Sequence, residues 1–326
     1  MKRRSHALLA LIGMLLVIPS WMDVGWAQAK IPRIGILFVN DARNEPWMET
    51  FRTTLRASGW VEGKNVAFEY RDAGGDPRRL AEPASELVQL KVDILWPIGP
   101  PAVRAAFAAT RDIPIIAHDF ETDPVIAGYA QSYSRPGGNL SGLFLDSPDL
   151  SGKWLELLKA VVPRLSRIAV LWDSTSGPIP LQAVRKVAPT LGMKLQVLEI
   201  QTPEDIDKGP SALRGQPQAL VVLPSPMMYV QSARLAEVAK KSRLPATSMF
   251  VPFAEAGGLI AYGPEIPASV ETCALLVAKV LGGAKPGDLP IERPSKFEFV
   301  LNLKTAKALR LVVPDTVLLR ADRVIQ

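Results

Sequence analysis

A single cysteine, Cys273, serves the whole 326-residue chain. No internal disulfide can form, and the thiol count favours neither an oxidising nor a reducing compartment. Histidine is almost as scarce, with only His6 and His118. A zinc site or a Ser-His-Asp triad would rest on so few imidazoles that both are disfavoured. No Gly-x-Gly-x-x-Gly follows an apolar run, so the dinucleotide fingerprint is missing, and no Gly-x-Ser-x-Gly nucleophile elbow occurs. Gly59–Lys64, GWVEGK, falls one residue short of a phosphate loop, and Asn65 stands where a magnesium-holding Ser or Thr belongs. That stretch reads as a turn between helix and strand. Charge of one sign is also lacking: 38 basic against 32 acidic residues give +6 without a long basic run. Such a charge serves solubility and does not point to nucleic acid. Neither a metal nor any other cofactor is implied.

What is present begins with an address. Lys2, Arg3, Arg4 and His6 form a polar start, Ala7–Ile18 is apolar, and Ala27-Gln28-Ala29 fits a cleavage site. The apolar run is short of the roughly 20 residues a membrane span needs. Met1–Ala29 therefore reads as a signal peptide, cleaved near Ala27–Ala29, and the mature protein is expected in the periplasm. The chain is 48% hydrophobic, enough for two ordinary cores of roughly 100–150 residues each.

The chain then starts twice. Arg33-Ile34-Gly35-Ile36-Leu37-Phe38-Val39-Asn40 is echoed by Arg167-Ile168-Ala169-Val170-Leu171-Trp172-Asp173. Each is a basic residue, an unbroken apolar run and a terminal Asn or Asp. Runs of this length suit strands buried on both faces. The echo continues in order: Asn65–Arg71 with Lys194–Ile200, Val92–Pro97 with Ala219–Pro224, Ile113–Ala117 with Leu244–Thr247, and Tyr129 roughly with Tyr262. An offset this long is no solenoid period and points to two similar domains in tandem. Between the strands lie helix patterns at about Pro46–Ser58, Asp76–Leu90 and Gly99–Thr110, and again from Ser151.

The expected fold class is α/β, two doubly wound parallel-sheet lobes joined by a hinge. The expected boundaries are a leader (1–29), lobe 1 (30–145) and lobe 2 (146–266). A crossover helix, Gly/Pro-rich linker and C-terminal segment (267–326) are expected to return to the hinge and lobe 1. Within lobe 1 a short fifth strand is expected near Ile126–Ser132, with Leu140–Leu145 crossing between lobes. Cys273 falls in a predicted amphipathic helix, Pro267–Leu281, and reads as a buried structural thiol.

In such sheets ligands bind beyond the carboxyl ends of the strands, and two lobes facing each other make a cleft. Asn40, Asp119, Asp173, Ser174 and Ser225 follow apolar strands and can offer ligand hydrogen bonds; the same residue types also cap helices. Asp123 lies in the loop after the fourth strand. His118-Asp119 can meet a ligand or satisfy itself. Phe250 and Tyr262 can stack on a ligand or pack the core. Trp47 falls at the cleft rim or packs the first helix.

With those residues laid out, the chain resembles the substrate-binding proteins of ABC transporters, and within them the tryptophan- and tyrosine-type family with the type I periplasmic binding fold. The resemblance rests on Gly59–Asn65, Arg135-Pro136-Gly137-Gly138-Asn139, Leu150-Ser151-Gly152-Lys153, Glu255–Leu259, Tyr262-Gly263-Pro264, Gly283-Ala284-Lys285-Pro286, Asn302–Ala306 and Leu319–Asp322. It implies a non-enzymatic protein that binds a small organic solute, amino acid-like or an aromatic or organic acid. The implied partner is an ABC permease with its ATPase, or alternatively a membrane receptor if the protein is a sensor. The expected ligand contacts are Asn40, Pro100, Asp119, Asp123, Asp173, Ser174, Ser225, Phe250 and Tyr262. Two positions depart from the family pattern. Pro100 stands in Gly99-Pro100-Pro101 where relatives commonly carry threonine, and Ser225 stands in Pro224-Ser225-Pro226 where they often carry aspartate. The first change removes a hydroxyl and an N–H donor, the second a carboxylate.

Overall fold

The computed structural model describes residues 30–145 and 147–326, with Ile31–Gln326 forming one compact unit. The expected leader, Met1–Ala29, lies outside the described residues.

Chain order alternates strand and helix. It runs β1 (Arg33–Phe38), α1 (Trp47–Ala57), β2 (Ala67–Asp72), α2 (Ala81–Gln89), β3 (Ile94–Pro97), α3 (Pro100–Ala109), β4 (Ile115–Asp119) and β5 (Leu140–Phe144). It continues with α4 (Ser147–Val161), β6 (Arg167–Asp173), α5 (Ile179–Val187), β7 (Lys194–Ile200), α6 (Pro203–Ala212), β8 (Ala219–Val222), α7 (Pro226–Val230), α8 (Ser232–Lys241) and β9 (Ala246–Ser248). It ends with α9 (Val251–Glu255), β10 (Ile260–Pro264), α10 (Ile266–Leu281), β11 (Phe297–Asn302), α11 (Leu303–Ala308), α12 (Asp315–Leu318) and β12 (Arg323–Ile325).

Two sheets result. The first has the order β2-β1-β3-β4-β5 and is parallel throughout. The second has the order β12-β11-β10-β9-β8-β6-β7, parallel except where β10 meets β11. Both repeat the 2-1-3 start that places a crevice at the carboxyl ends of the first and third strands. The two apolar echoes are thus β1 and β6, each paired on both edges. That pairing is why neither strand shows a polar face.

Period-two alternation sorts even these all-apolar strands into two cores. Ile34, Ile36 and Phe38 join Trp96 and Phe51 on one face of the first sheet, while Leu37 and Val39 join Leu87, Leu95 and Val103 on the other. Helix α10 leaves the second sheet and packs on α1 and on β3, β4 and β5 of the first. Its Val270, Cys273, Ala274, Leu276 and Val277 are buried. Cys273 is a buried thiol, pushed up to about 12 by that burial. Beneath α10 and α1, Trp96 stacks on Phe51 with centroids 3.9 Å apart and meets Trp47 edge-on at 5.8 Å.

Three expectations need correction. Ile126–Ser132 forms no strand: Asp123 accepts from the N–H groups of Val125 and Ile126 and winds the segment into turns, leaving Ile126 81% exposed. The fifth strand is instead β5, inside the stretch expected to cross between lobes. It is wholly buried between β4 and a paired segment around Glu292. The chain after α10 divides. The Gly/Pro-rich linker runs along β5, with Phe144 N–H donating to Glu292 O and Glu292 N–H to Gly142 O. By contrast, β11 and β12 extend the second sheet, because Phe299 and Leu301 pair across to β10. Among the described residues the chain passes between the sheets three times, after β5, after β10 and before β11.

Trp96 is fully buried and braces both α1 and α10 against the first sheet. Trp96→Ala is expected to lower the unfolding free energy by about 3–5 kcal/mol, read from urea denaturation followed by circular dichroism.

Candidate functional site

The carboxyl ends of strands from both sheets converge on a partly open cavity of about 50 Å³. From the first sheet come Phe38 at the end of β1, Trp47 at the start of α1, Ile98 and Gly99 after β3, and His118, Phe120 and Glu121 at the end of β4. Pro226, Tyr229, Phe250 and Ile266 follow β8, β9 and β10 of the second. The walls are mostly aromatic. Phe38 meets Trp47 edge-on at 5.8 Å, and Tyr229 meets Phe250 edge-on at 5.2 Å.

Three contacts join the two walls. Gly99, with φ at +85°, lies so close to Pro226 that a Cβ on it would sit 2.2 Å from the proline Cγ. Only glycine combines that backbone angle with that approach. Arg104 on α3 donates to the carbonyl oxygen of Thr175, 2.6 Å away. Tyr229 Oη donates to Glu45 Oε2 at 3.4 Å.

The polar groups facing the cavity are few. His118 is 6% exposed, and neither ring nitrogen has a hydrogen-bond partner among the described residues. Burial pushes its pKa down to about 4, so the imidazole is neutral at pH 7. Phe120 packs edge-on against it at 4.8 Å. Glu121 is 3% exposed and is held well above the usual carboxylate range by burial, and further by the neighbouring charges of Asp119 and Asp173. Asp119 itself is raised from 3.8 to about 6 by burial, opposed by hydrogen bonds from Glu121 and Thr122 and by the charge of Arg104. Burial raises Asp173 too, opposed by Thr175, Ser225 and Arg104. An acidic cluster thus stands behind the cavity wall, with one guanidinium beside it.

Of the residues singled out from sequence, Trp47, His118 and Phe250 line the cavity. Pro100 is buried one residue behind the lining Gly99, as the first residue of α3. Asp119 and Asp173 stand in the acidic cluster, where their side chains also close turns: Asp119 onto the N–H groups of Glu121 and Thr122, Asp173 onto Thr175. Ser225 is buried and caps α7 through Met228 N–H at 3.0 Å. Ser174 lies in the short turn after β6. Asn40 is half-buried in the turn after β1, and Asp123 winds its exposed loop. Tyr262 is elsewhere. It stacks beside Phe297 at 6.2 Å, over a groove of about 300 Å³ also lined by Lys153 and Arg293.

The sequence reading missed Phe38, Phe120, Glu121, Pro226 and Tyr229. Each sits within two residues of an apolar strand end or a singled-out position, or one turn into the following helix, so a wider window at each strand terminus would have found them. Arg104 and Glu45 carried no such signal. Among the described residues no group of three His, Cys, Asp or Glu side chains is placed to hold a metal, and no helix is long and apolar enough to cross a membrane.

Comparison with known proteins adds the following. The family model described as ABC transporter substrate binding protein matches residues 36–325. A tyrosine-binding protein of Clostridioides difficile is 29% identical over 79% of this chain and 75% of its own. A conserved domain protein of Vibrio cholerae superposes with a TM-score of 0.82 at 25% identity, covering 90% of this chain and all of that one. The ABC domain from Streptococcus pneumonia, solved in complex with L-Trp, gives a TM-score of 0.80 at 23% identity, covering 90% and 99%.

Two outcomes test the geometry. Gly99→Ala is expected to force the walls apart, increasing the radius of gyration by small-angle scattering. The raised pKa of Asp119 means folding favours its protonated form, so its contribution to stability is largest below about pH 4 and is lost as pH rises to about 6. Urea unfolding at pH 4 and pH 7 should therefore show a smaller loss in Asp119→Asn than in the parent.

Proposed function

The chain belongs to the family of ABC transporter substrate binding proteins, and from that premise we propose that it captures a small organic solute between its two sheets and presents it to a membrane permease. The family and the curated relative are binding proteins and not enzymes. The fold is the two-lobed α/β architecture of type I periplasmic binding proteins.

The observation that carries the proposal is the aromatic cavity built jointly by both sheets, with Trp47, Phe120, Tyr229 and Phe250 around an unpartnered His118. A ligand touching both walls stabilises the conformation in which they meet, which is how binding drives closure. Three chain passages between the sheets provide the hinge. Delivery requires a face that the permease recognises only when the walls are together, and Gly99, Arg104 and Tyr229 make the wall-to-wall contacts of that state. The aromatic lining and the tyrosine-binding relative support an aromatic solute. The signal-peptide reading of Met1–Ala29 supports an extracytoplasmic location.

The test is a thermal-shift screen of aromatic amino acids, amines and acids on the mature protein, followed by calorimetry. A binder should raise Tm, and Phe250→Ala should weaken it by about 10-fold or more, the loss of a large apolar contact. Uptake of the labelled binder by the source cells should fall when the chain is deleted. A screen without binders, or a ligand returned chemically altered, would overturn the proposal.

A further inference from the structure

Resting on the reading of that cavity as the ligand site, we propose that its ligand is an aromatic amine without a carboxylate, its ammonium facing Glu121 and one of its N–H groups donating to His118.

The charges around the cavity point one way. Glu121 is the lining carboxyl, and Asp119 and Asp173 act on it from behind. No Lys or Arg is among the lining residues. Arg104 is turned to the Thr175 carbonyl and acts on Asp119 and Asp173. A ligand carboxylate would enter beside buried carboxyls whose charged forms are already disfavoured, with no lining cation to meet it, and desolvation would cost it further.

Backbone donors do not replace the missing cation. Five helices start at the cavity, α1, α3, α7, α9 and α10, and each carries a proline at its cap or in its first two positions. Pro100 and Pro101 open α3, and Pro226 opens α7. Proline carries no N–H, so the first donors a carboxylate would use there are absent. The next ones are partly taken: Val103 N–H goes to Gly99 O and Met228 N–H to Ser225 Oγ.

An ammonium meets the opposite situation. Trp47, Tyr229, Phe38, Phe120 and Phe250 line the cavity, and clustered aromatic rings attract ammonium groups through the ring quadrupole. A cation beside Glu121 stabilises its ionised form, reversing the effect of burial. His118, neutral and without a partner on either nitrogen, has a lone pair to accept from an N–H.

The experiment is calorimetry on the full mature protein with four ligands that differ at one end: 2-phenylethylamine, L-phenylalanine, 3-phenylpropionate and 2-phenylethanol. The amine should bind at least about 10-fold tighter than phenylalanine, and phenylpropionate should not bind. Glu121→Gln should remove about 10-fold or more of the amine's affinity while leaving phenylethanol unchanged. Phenylalanine or phenylpropionate binding as tightly as the amine would overturn the inference and leave the solute-binding reading standing. An equal loss for amine and alcohol in Glu121→Gln would also overturn it, as a packing effect. Failure of all four on the parent protein overturns the inference and the aromatic-solute reading together. The comparison among ligands needs no variant, so it stands even if Glu121→Gln does not fold.

Discussion

Helix α10 starts where the second sheet ends and packs on the first, and the position of every cavity residue follows from that packing. Its apolar side chains settle over α1 and the first sheet, where Trp96, stacked on Phe51, forms the floor beneath both helices. The helix reaches this place only if β10 points toward the first sheet. That brings Ile266, the first residue of the helix, to the cavity alongside Phe38 and Ile98. A core shared between two sheets in this way holds them close, and three chain passages join them.

Against that apolar frame the cleft holds a tension. Asp119, Glu121 and Asp173 are buried together, which disfavours their charged forms. Two of the three answer part of that cost with local hydrogen bonds, Asp119 through Glu121 and Thr122 and Asp173 through Thr175. Glu121 lines the cavity while hydrogen-bonding to Asp119 and the Phe120 backbone, beside an imidazole with no partner among the described residues. Buried polar groups left unanswered by the protein mark where a ligand contributes. The chemistry of the site is therefore legible in what the fold leaves unsatisfied: both nitrogens of a neutral imidazole at the cavity, with Asp119 Oδ2 and Asp173 Oδ2 behind it.

Strand residues were legible because one short-range property, an unbroken apolar run bounded by polar residues, decides them. Arg33–Val39 and Arg167–Asp173 became β1 and β6 almost residue for residue, and the order of matched runs gave two sheets of like topology. The misplaced fifth strand shows where this ends. Ile126 and Leu140 are both apolar, but one lies in a loop wound by Asp123 and the other pairs with Ile115. Composition does not separate a local carboxylate-to-backbone turn from a ladder built with residues far away in sequence.

The site was legible only as a set of strand ends. Phe250 was reached by that route, and Asp119 and Asp173 came with it into the acidic cluster, but Tyr262 points to a different groove and Asp123 and Ser225 serve the backbone. The sequence by itself determined the α/β alternation, the duplicated sheets, the family and the strand ends that gather at the cavity, because hydrophobic periodicity and turn chemistry are local. Only the tertiary structure decided which of those strand-end side chains meet. It set Gly99 against Pro226 and Glu45 against Tyr229, and left His118 and Glu121 facing the cavity. Those pairings join residues more than a hundred positions apart, and they depend on how α10 docks one sheet against the other.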